Sequence, residues 1–305
     1  MKLPYPLQFN DHAIILSPSG NIEKKFVLDT AAILKEWGLI PKISKYALGE
    51  NGRFSGTLDE RLHDLQEAFD DPSIKLIVCS RGGYGAVHLL EYLNFKEIRK
   101  HPKWLVGYSD ITALHSALQV HGIATLHAPM TKHFSDEGVY DLSVRYTKSI
   151  LSGQSVDYQI PINETFPFNR QGRAKGKLFG GNLSVLCGII GTHFFRIPNN
   201  GILFIEEVGE APYKVDRMIY QLKLAGVFRR IKALIIGKFT NYEEDESMYF
   251  SLKESILDAT KEYRFPIVFN FPAGHVRLNF PLILGETAEI LIGKDNISFK
   301  QLVNK

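Results

Sequence analysis

The sequence predicts an α/β protein: an N-terminal, doubly wound parallel sheet of flavodoxin-like winding, followed by a C-terminal mixed α/β domain with short strands. Three observations carry that reading. Over the first 152 residues, short apolar runs alternate with stretches of helical spacing, a series that folds as a parallel sheet with helices on both faces. From residue 176 onward the strands alternate irregularly with helices, which gives the second half more antiparallel character. A chain of 305 residues, 45% hydrophobic and 23% charged, suits two globular domains, each able to bury its own core.

Taken in order, His12 to Leu16 reads as a strand and Ile22 to Trp37 as a helix, with apolar positions at Phe26, Leu28, Ala31, Ile33 and Leu34. A short strand follows near Pro41 to Ser44. Thr57-Leu58-Asp59-Glu60 is a capping box, so a helix starts at Leu58 and runs to about Phe69. Ile74 to Cys79 is a buried strand, a helix is expected from about Tyr84 to Leu93, and a strand at Trp104 feeds a helix at Asp110. Gly153, Pro161, Asn163, Pro167, Asn169 and Gly172 break any periodicity, so residues 153–175 read as a linker between domains 1–152 and 176–305. Beyond it, strands are expected at Gly201–Glu206, Ala233–Gly237, Ile267–Phe269, Ala288–Ile292 and Ile297–Phe299. Helices are expected near Leu183–Gly191, Lys214–Ala225 and Tyr249–Glu262, and the acidic run 243–246 reads as a solvated loop.

Composition narrows the function classes. The net charge is +3 and no Lys/Arg cluster dominates, which gives no footprint for nucleic acid. No apolar run approaches a membrane span, and the N-terminus lacks the long apolar stretch of a signal peptide, so no membrane partner and a cytoplasmic location are expected. Cys79 and Cys187 lie in apolar surroundings and read as buried thiols in a reducing compartment. No Cys/His spacing resembles a metal site and no HExxH occurs, so neither metal nor cofactor is expected.

In open parallel sheets, sites lie at the carboxyl ends of the strands. Two segments fall there. In Gly107-Tyr108-Ser109-Asp110, a serine at a strand-to-helix turn has its hydroxyl pushed out of the sheet, which suits a nucleophile; the bland alternative is a helix N-cap, a role serine often fills. In Ser80-Arg81-Gly82-Gly83-Tyr84-Gly85, three glycines in four positions permit close backbone approach and a free N–H facing the Ser109 turn. Acyl transfer needs such donors, one commonly from the residue after the nucleophile, which makes the Gly83 and Asp110 amides the candidate oxyanion hole. Downstream, a strand ends in Glu206-Glu207, and a Pro/Gly turn delivers His275, with His127 and His133 as rival histidines. Strand alternation sends the two glutamates to opposite faces, so one of them can serve the site. Arg81 is suited either to a substrate carboxylate or to a structural ion pair, and Asn182 either to a helix cap or to substrate.

Six segments, in order, resemble the LD-carboxypeptidases, or muramoyltetrapeptide carboxypeptidases, a family of cytoplasmic serine peptidases related to the microcin-immunity peptidases. They are Leu16-Ser17-Pro18-Ser19-Gly20, Arg81-Gly82-Gly83-Tyr84-Gly85, Gly107-Tyr108-Ser109-Asp110, Gly180-Gly181-Asn182-Leu183, Leu203-Phe204-Ile205-Glu206-Glu207 and Ala273-Gly274-His275. The resemblance covers nearly the whole chain. It implies a Ser109–Glu206–His275 triad in an interdomain cleft, with Glu206 chosen because the family's catalytic glutamate comes first in its acidic pair. Here Glu207 stands where the resembling sequences often have Asp. The implied reaction removes the terminal D-alanine from murein tetrapeptides in peptidoglycan recycling, the substrate is a muropeptide, and the family tends toward homodimers. The alternatives are a microcin-immunity type peptidase acting on peptidyl nucleotides and a non-catalytic ligand-binding module, the latter disfavoured by three triad residues each standing in its motif.

Because the site is read as metal-free, EDTA should leave peptide cleavage intact; inhibition reversed by added zinc would place the protein in another catalytic class.

Overall fold

A continuous apolar run marks a strand covered on both faces, and β1 (His12–Leu16) is such a run, buried at every position after its first. In the computed structural model, which describes residues 1–162, 168–248 and 250–303, the chain forms two compact units. The first comprises Met1–Ser155 with Arg277–Gly285 and Val303; the second comprises Val156–Val276 with Glu286–Leu302.

In the first unit β1 pairs in parallel with β2 (Ile40–Ile43) on one side and β3 (Ile74–Cys79) on the other. Then come β4 (Trp104–Gly107) and β5 (Thr125–His127), also parallel. The order 2-1-3-4-5 is the flavodoxin-like winding expected from the sequence, and it places the loops after β1, β3 and β4 at neighbouring carboxyl ends. The helices are α1 (Lys24–Glu36), α2 (Leu58–Asp70), α3 (Lys96–Lys100), α4 (Thr112–Val120), α5 (Thr131–Glu137) and α6 (Leu142–Leu151). The capping box forms as read: the Glu60 N–H donates to Thr57 Oγ1 at 3.2 Å, and the Thr57 N–H donates to Glu60 Oε2 at 2.8 Å.

The helix expected over 84–93 does not form. Gly83 and Gly85 adopt φ of 103° and 124°, outside any right-handed helix, and only a single 3₁₀ turn, Ala86–Leu89, follows them. Likewise the helix expected at Asp110 opens as a 3₁₀ turn, Ser109–Ile111, before α4 begins.

The segment read as a linker carries two strands. β6 (Val156–Pro161) alternates buried and exposed positions, with Val156, Tyr158 and Ile160 inward, a period of two that the proline and glycine signals obscured. β7 (Gly172–Asn182) begins at the glycine taken as a breaker. Asn163 and Pro167, two of the linker signals, lie outside the described residues, as does Tyr249, the expected start of a helix.

After β7 come α7 (Leu183–Ile189), β8 (Gly201–Val208), α8 (Pro212–Leu224), β9 (Ile231–Thr240), α9 (Leu252–Ala259) and β10 (Ile267–Val268). The chain then returns to the first unit, where β11 (Leu282–Leu284) joins β5 antiparallel, Leu282 opposite His127. Finally β12 (Thr287–Ile292) and β13 (Asn296–Gln301) complete the second sheet, in order 10-9-8-7-12-13-6. From β10 to β7 its strands are parallel, and from β7 to β6 antiparallel, so the expected mixed character is confined to one half of the sheet. Leu203, Ile205, Leu234 and Ile236 of this sheet bury against Leu186, Val215, Ile219, Leu222 and Ile256 of α7, α8 and α9. Each such side chain contributes about 1.5–3 kcal/mol on leaving water.

Both cysteines are free thiols. Cys79 is buried as expected, whereas Cys187, on α7, is only half-buried, its Sγ donating to the Met218 carbonyl at 3.7 Å. Among the described residues no helix is long and apolar enough to cross a membrane.

Replacing the capping hydroxyl should isolate the worth of the α2 terminus. Thr57→Ala is expected to lower unfolding stability by about 1 kcal/mol in a urea titration, with the m-value unchanged.

Candidate active site

β4 ends at Gly107, Tyr108 is extended at φ −154° and ψ −169°, and Ser109 turns sharply to a φ of 64°. A left-handed conformation in a side-chain-bearing residue costs about 1–3 kcal/mol and persists only where its surroundings impose it. Ser109 is not a cap: Tyr108 holds the N-cap position of the 3₁₀ turn, and neither that turn nor α4 has a side-chain cap bond. One imposing contact is Gly82. A Cβ added there would lie 2.8 Å from Ser109 Cβ, 2.9 Å from its Oγ and 3.3 Å from the Asp110 nitrogen, so the loop after β3 presses on the turn where only glycine fits.

The two amides proposed from the sequence both belong to this region. Gly83, exposed, follows Gly82, and Asp110 follows Ser109; among the described residues neither N–H donates to an acceptor. The Asp110 side chain, in contrast, is buried and fully engaged at Oδ2, which accepts from Ser19 Oγ at 2.7 Å and the Ala86 N–H at 2.8 Å. Arg81 is exposed and donates Nη1 to the Asn21 carbonyl at 2.8 Å; among the described residues it joins no ion pair.

In the second unit, β8 carries two glutamates into the interior, and alternation divides them. Glu206 is wholly buried, and its Oε2 accepts the Nδ1–H of His275 at 2.7 Å. Its Oε1 has no hydrogen-bond partner among the described residues. Gly274 adopts a φ of 121°, and a Cβ there would stand 2.9 Å from Glu206 Oε2, so the glycine before the histidine makes room for the carboxylate. With a proton held on Nδ1, the neutral ring keeps its lone pair on Nε2, the tautomer a general base needs. The His275 side chain retains 20% exposure.

Glu207 turns to the start of α7. Its Oε1 accepts from Asn182 Nδ2 at 2.8 Å and from the Val208 N–H at 2.9 Å, while its Oε2 accepts from the Ser184 N–H at 2.7 Å. Burial pushes its carboxyl up, and these donors pull back. Asn182 caps α7 through the Val185 N–H at 3.2 Å, which is the capping alternative of the sequence reading. The rival histidines are placed otherwise. His133 Nε2 donates to Asp141 Oδ1, 3.0 Å away, where it shares the cap of α6, and His127 is fully buried in β5 with its ring against Tyr108.

Sequence reasoning missed the carboxylate of Asp110 and its partner Ser19. The Leu16–Gly20 motif was a signal for the latter, but no spacing rule joins residues 91 apart in sequence.

The first unit thus carries a strained serine turn on a doubly wound sheet, and the second a buried carboxylate–imidazole pair on a mixed sheet. Residues 14–128 match the LD-carboxypeptidase N-terminal domain and residues 175–290 the LD-carboxypeptidase C-terminal domain. The chain therefore belongs to the LD-carboxypeptidase family of peptidases. A Bacillus subtilis (strain 168) protein named "probable murein peptide carboxypeptidase" is 34% identical over 296 residues, covering 93% of this chain and 90% of its own. The crystal structure of muramoyltetrapeptide carboxypeptidase from Oxalobacter formigenes superposes with a TM-score of 0.86 at 26% identity, over 95% of this chain and 98% of that one. The microcin C7 self immunity protein MccF, in its wild-type apo state, gives 0.88 at 25% identity over 100% of both chains.

The division of labour between the glutamates is testable by stability. Glu207→Gln removes charge-assisted bonds from a buried group and should lower unfolding free energy by about 1–3 kcal/mol in denaturant titrations, while the helical circular dichroism of the folded state is retained.

Proposed function

We propose that this protein is a serine carboxypeptidase that removes the terminal D-alanine from murein tetrapeptides, hydrolysing a bond between an L-centre and a D-residue. The observation that carries the reading is the 2.7 Å bond from His275 Nδ1–H to the buried Glu206 carboxylate, which prepares Nε2 as a base. In the proposed reaction Ser109 Oγ attacks the scissile carbonyl and His275 Nε2 takes its proton. Glu206 stabilises the imidazolium, and the amides of Gly83 and Asp110 receive the oxyanion. The imidazolium then protonates the amine of the departing D-alanine. Water, deprotonated by the same nitrogen, attacks the acyl-enzyme and frees the tripeptide and Ser109.

Arg81, exposed one residue before the glycine that touches Ser109, is proposed to read the terminal carboxylate with its planar fork. Asn182, the other candidate contact, already serves as a cap and a partner of Glu207, so the proposal leans on Arg81. The names of the Bacillus and Oxalobacter proteins support the muropeptide substrate. On this reading the enzyme works in the cytoplasm on recycled cell-wall peptides, as a homodimer. A second reading, cleavage of a peptidyl nucleotide, is favoured by the full-length likeness to the microcin C7 self immunity protein.

The test is cleavage of a tetrapeptide ending in D-Ala beside its L-Ala counterpart and an aminoacyl-nucleotide analogue. The first should be the preferred substrate; turnover of the nucleotide analogue alone would select the second reading. Ser109→Ala should fold normally and lose kcat by a factor on the order of 10⁴ or more. Glu206→Gln should lose about 10³–10⁴-fold, because an amide neither fixes the tautomer nor stabilises the imidazolium as well. Near-normal turnover by Ser109→Ala would exclude the mechanism.

A further inference from the structure

The proposed chemistry uses only the amide of Asp110, yet its carboxylate is 4% exposed and sits one residue past the serine turn. A buried charge is costly unless its hydrogen-bonding capacity is met. Here the two bonds that meet it come from two different loops: Ser19 belongs to the loop after β1, and Ala86 to the loop after β3. One carboxylate oxygen therefore ties both neighbouring loops to the turn after β4. A second buried side chain spans the same two loops from below. Arg61 of α2 donates Nη1 to the Pro18 carbonyl and to the Gly85 carbonyl, each at 2.9 Å. The Gly20 N–H donates to Gly82 O at 3.0 Å, closing the arrangement on the glycine that touches Ser109. Burial pulls the Arg61 guanidinium below its usual range, and the Asp110 charge works against that pull.

We propose that the Asp110 side chain is a positioning residue: it sets the spacing between the glycine loop and the Ser109 turn, and so aims the Gly83 and Asp110 amides at the developing oxyanion. The proposal rests on the reading of Ser109 as nucleophile. Charge-assisted hydrogen bonds are shorter and about twice as strong as neutral ones, which suits a tie that must hold a strained turn in register. The effect belongs to the transition state, because a misplacement of about 1 Å at oxyanion donors costs on the order of 10²-fold in rate.

The experiment compares Asp110→Ala, Asp110→Asn and Ser19→Ala in the full-length protein. It reads kcat and KM on the D-Ala tetrapeptide, the rate of Ser109 labelling by a small alkyl fluorophosphonate, and the thermal midpoint. Asp110→Ala should lose about 10²–10³-fold in kcat with KM within about twofold, as expected when transition-state donors are displaced. Asp110→Asn keeps one oxygen for both donors and should recover part of that loss; Ser19→Ala removes one donor and should lose about tenfold or less. Labelling should slow in the same order. The proposal is overturned if Asp110→Ala retains kcat within about threefold, or if the loss falls on KM alone. Should Asp110→Ala fail to fold, unchanged kcat in both milder variants overturns it. If the wild-type protein cleaves no tetrapeptide, the proposed substrate is wrong and labelling decides. Slower labelling in Asp110→Asn than in wild type sustains the positioning role; equal rates, or no labelling of wild type, reject it.

Discussion

The constraint on which the first unit depends is a side-chain-bearing residue held at a φ of 64°. Such a conformation persists in a residue other than glycine only where its surroundings impose it. Those surroundings come from the loops after β1 and β3 and from α2. Gly82 approaches Ser109 so closely that a Cβ there would clash, Asp110 is drawn inward by Ser19 and Ala86, and Arg61 braces the same loops. Gly82 and Ala86 reach the turn from the end of β3, next to β4, while Ser19 reaches it from the end of β1, one strand further on, so the winding of the sheet brings all three loops to one end.

The second unit solves a different problem, two adjacent carboxylates in an apolar interior. Alternation along β8 separates them, and each is matched to its own donors. Glu207 takes three, from Asn182, Ser184 and Val208, and in doing so fastens the start of α7 to the sheet. Glu206 takes His275, leaving Oε1 without a partner among the described residues. A carboxylate so incompletely satisfied is poorly suited to stability alone, since burying a charge costs several kcal/mol unless its partners compensate. In the proposed mechanism its value is chemical: it fixes the imidazole tautomer and stabilises the positive ring.

Elements with a strong local pattern were legible. β1, β3 and the capped start of α2 stand where apolar runs and the Thr57–Glu60 box put them. Where local signals conflicted, the reading failed. Gly83 and Gly85, at φ of 103° and 124°, exclude the helix expected over residues 84–93. Pro161 and Gly172, which read locally as breakers, close and open strands, and each pairs with a residue more than a hundred positions away, Asn296 of β13 and Ile292 of β12. The three-residue β11 has too little length to show any period, and its pairing with β5 comes from a chain that has already crossed the second unit.

The sequence by itself determined the alternation that makes a parallel sheet, the serine at the end of a strand, the glycines before it, and the Glu and His candidates. Such features are set by period, propensity and the special freedom of glycine, all of which act within a few residues. Tertiary structure decided which glutamate meets His275, that Asn182 is a cap bound to Glu207, and that Asp110 reaches Ser19 and Ala86. Those pairings join residues from about 25 to 90 positions apart, and hydrogen bonds of that reach exist only after the sheets have brought their strands together.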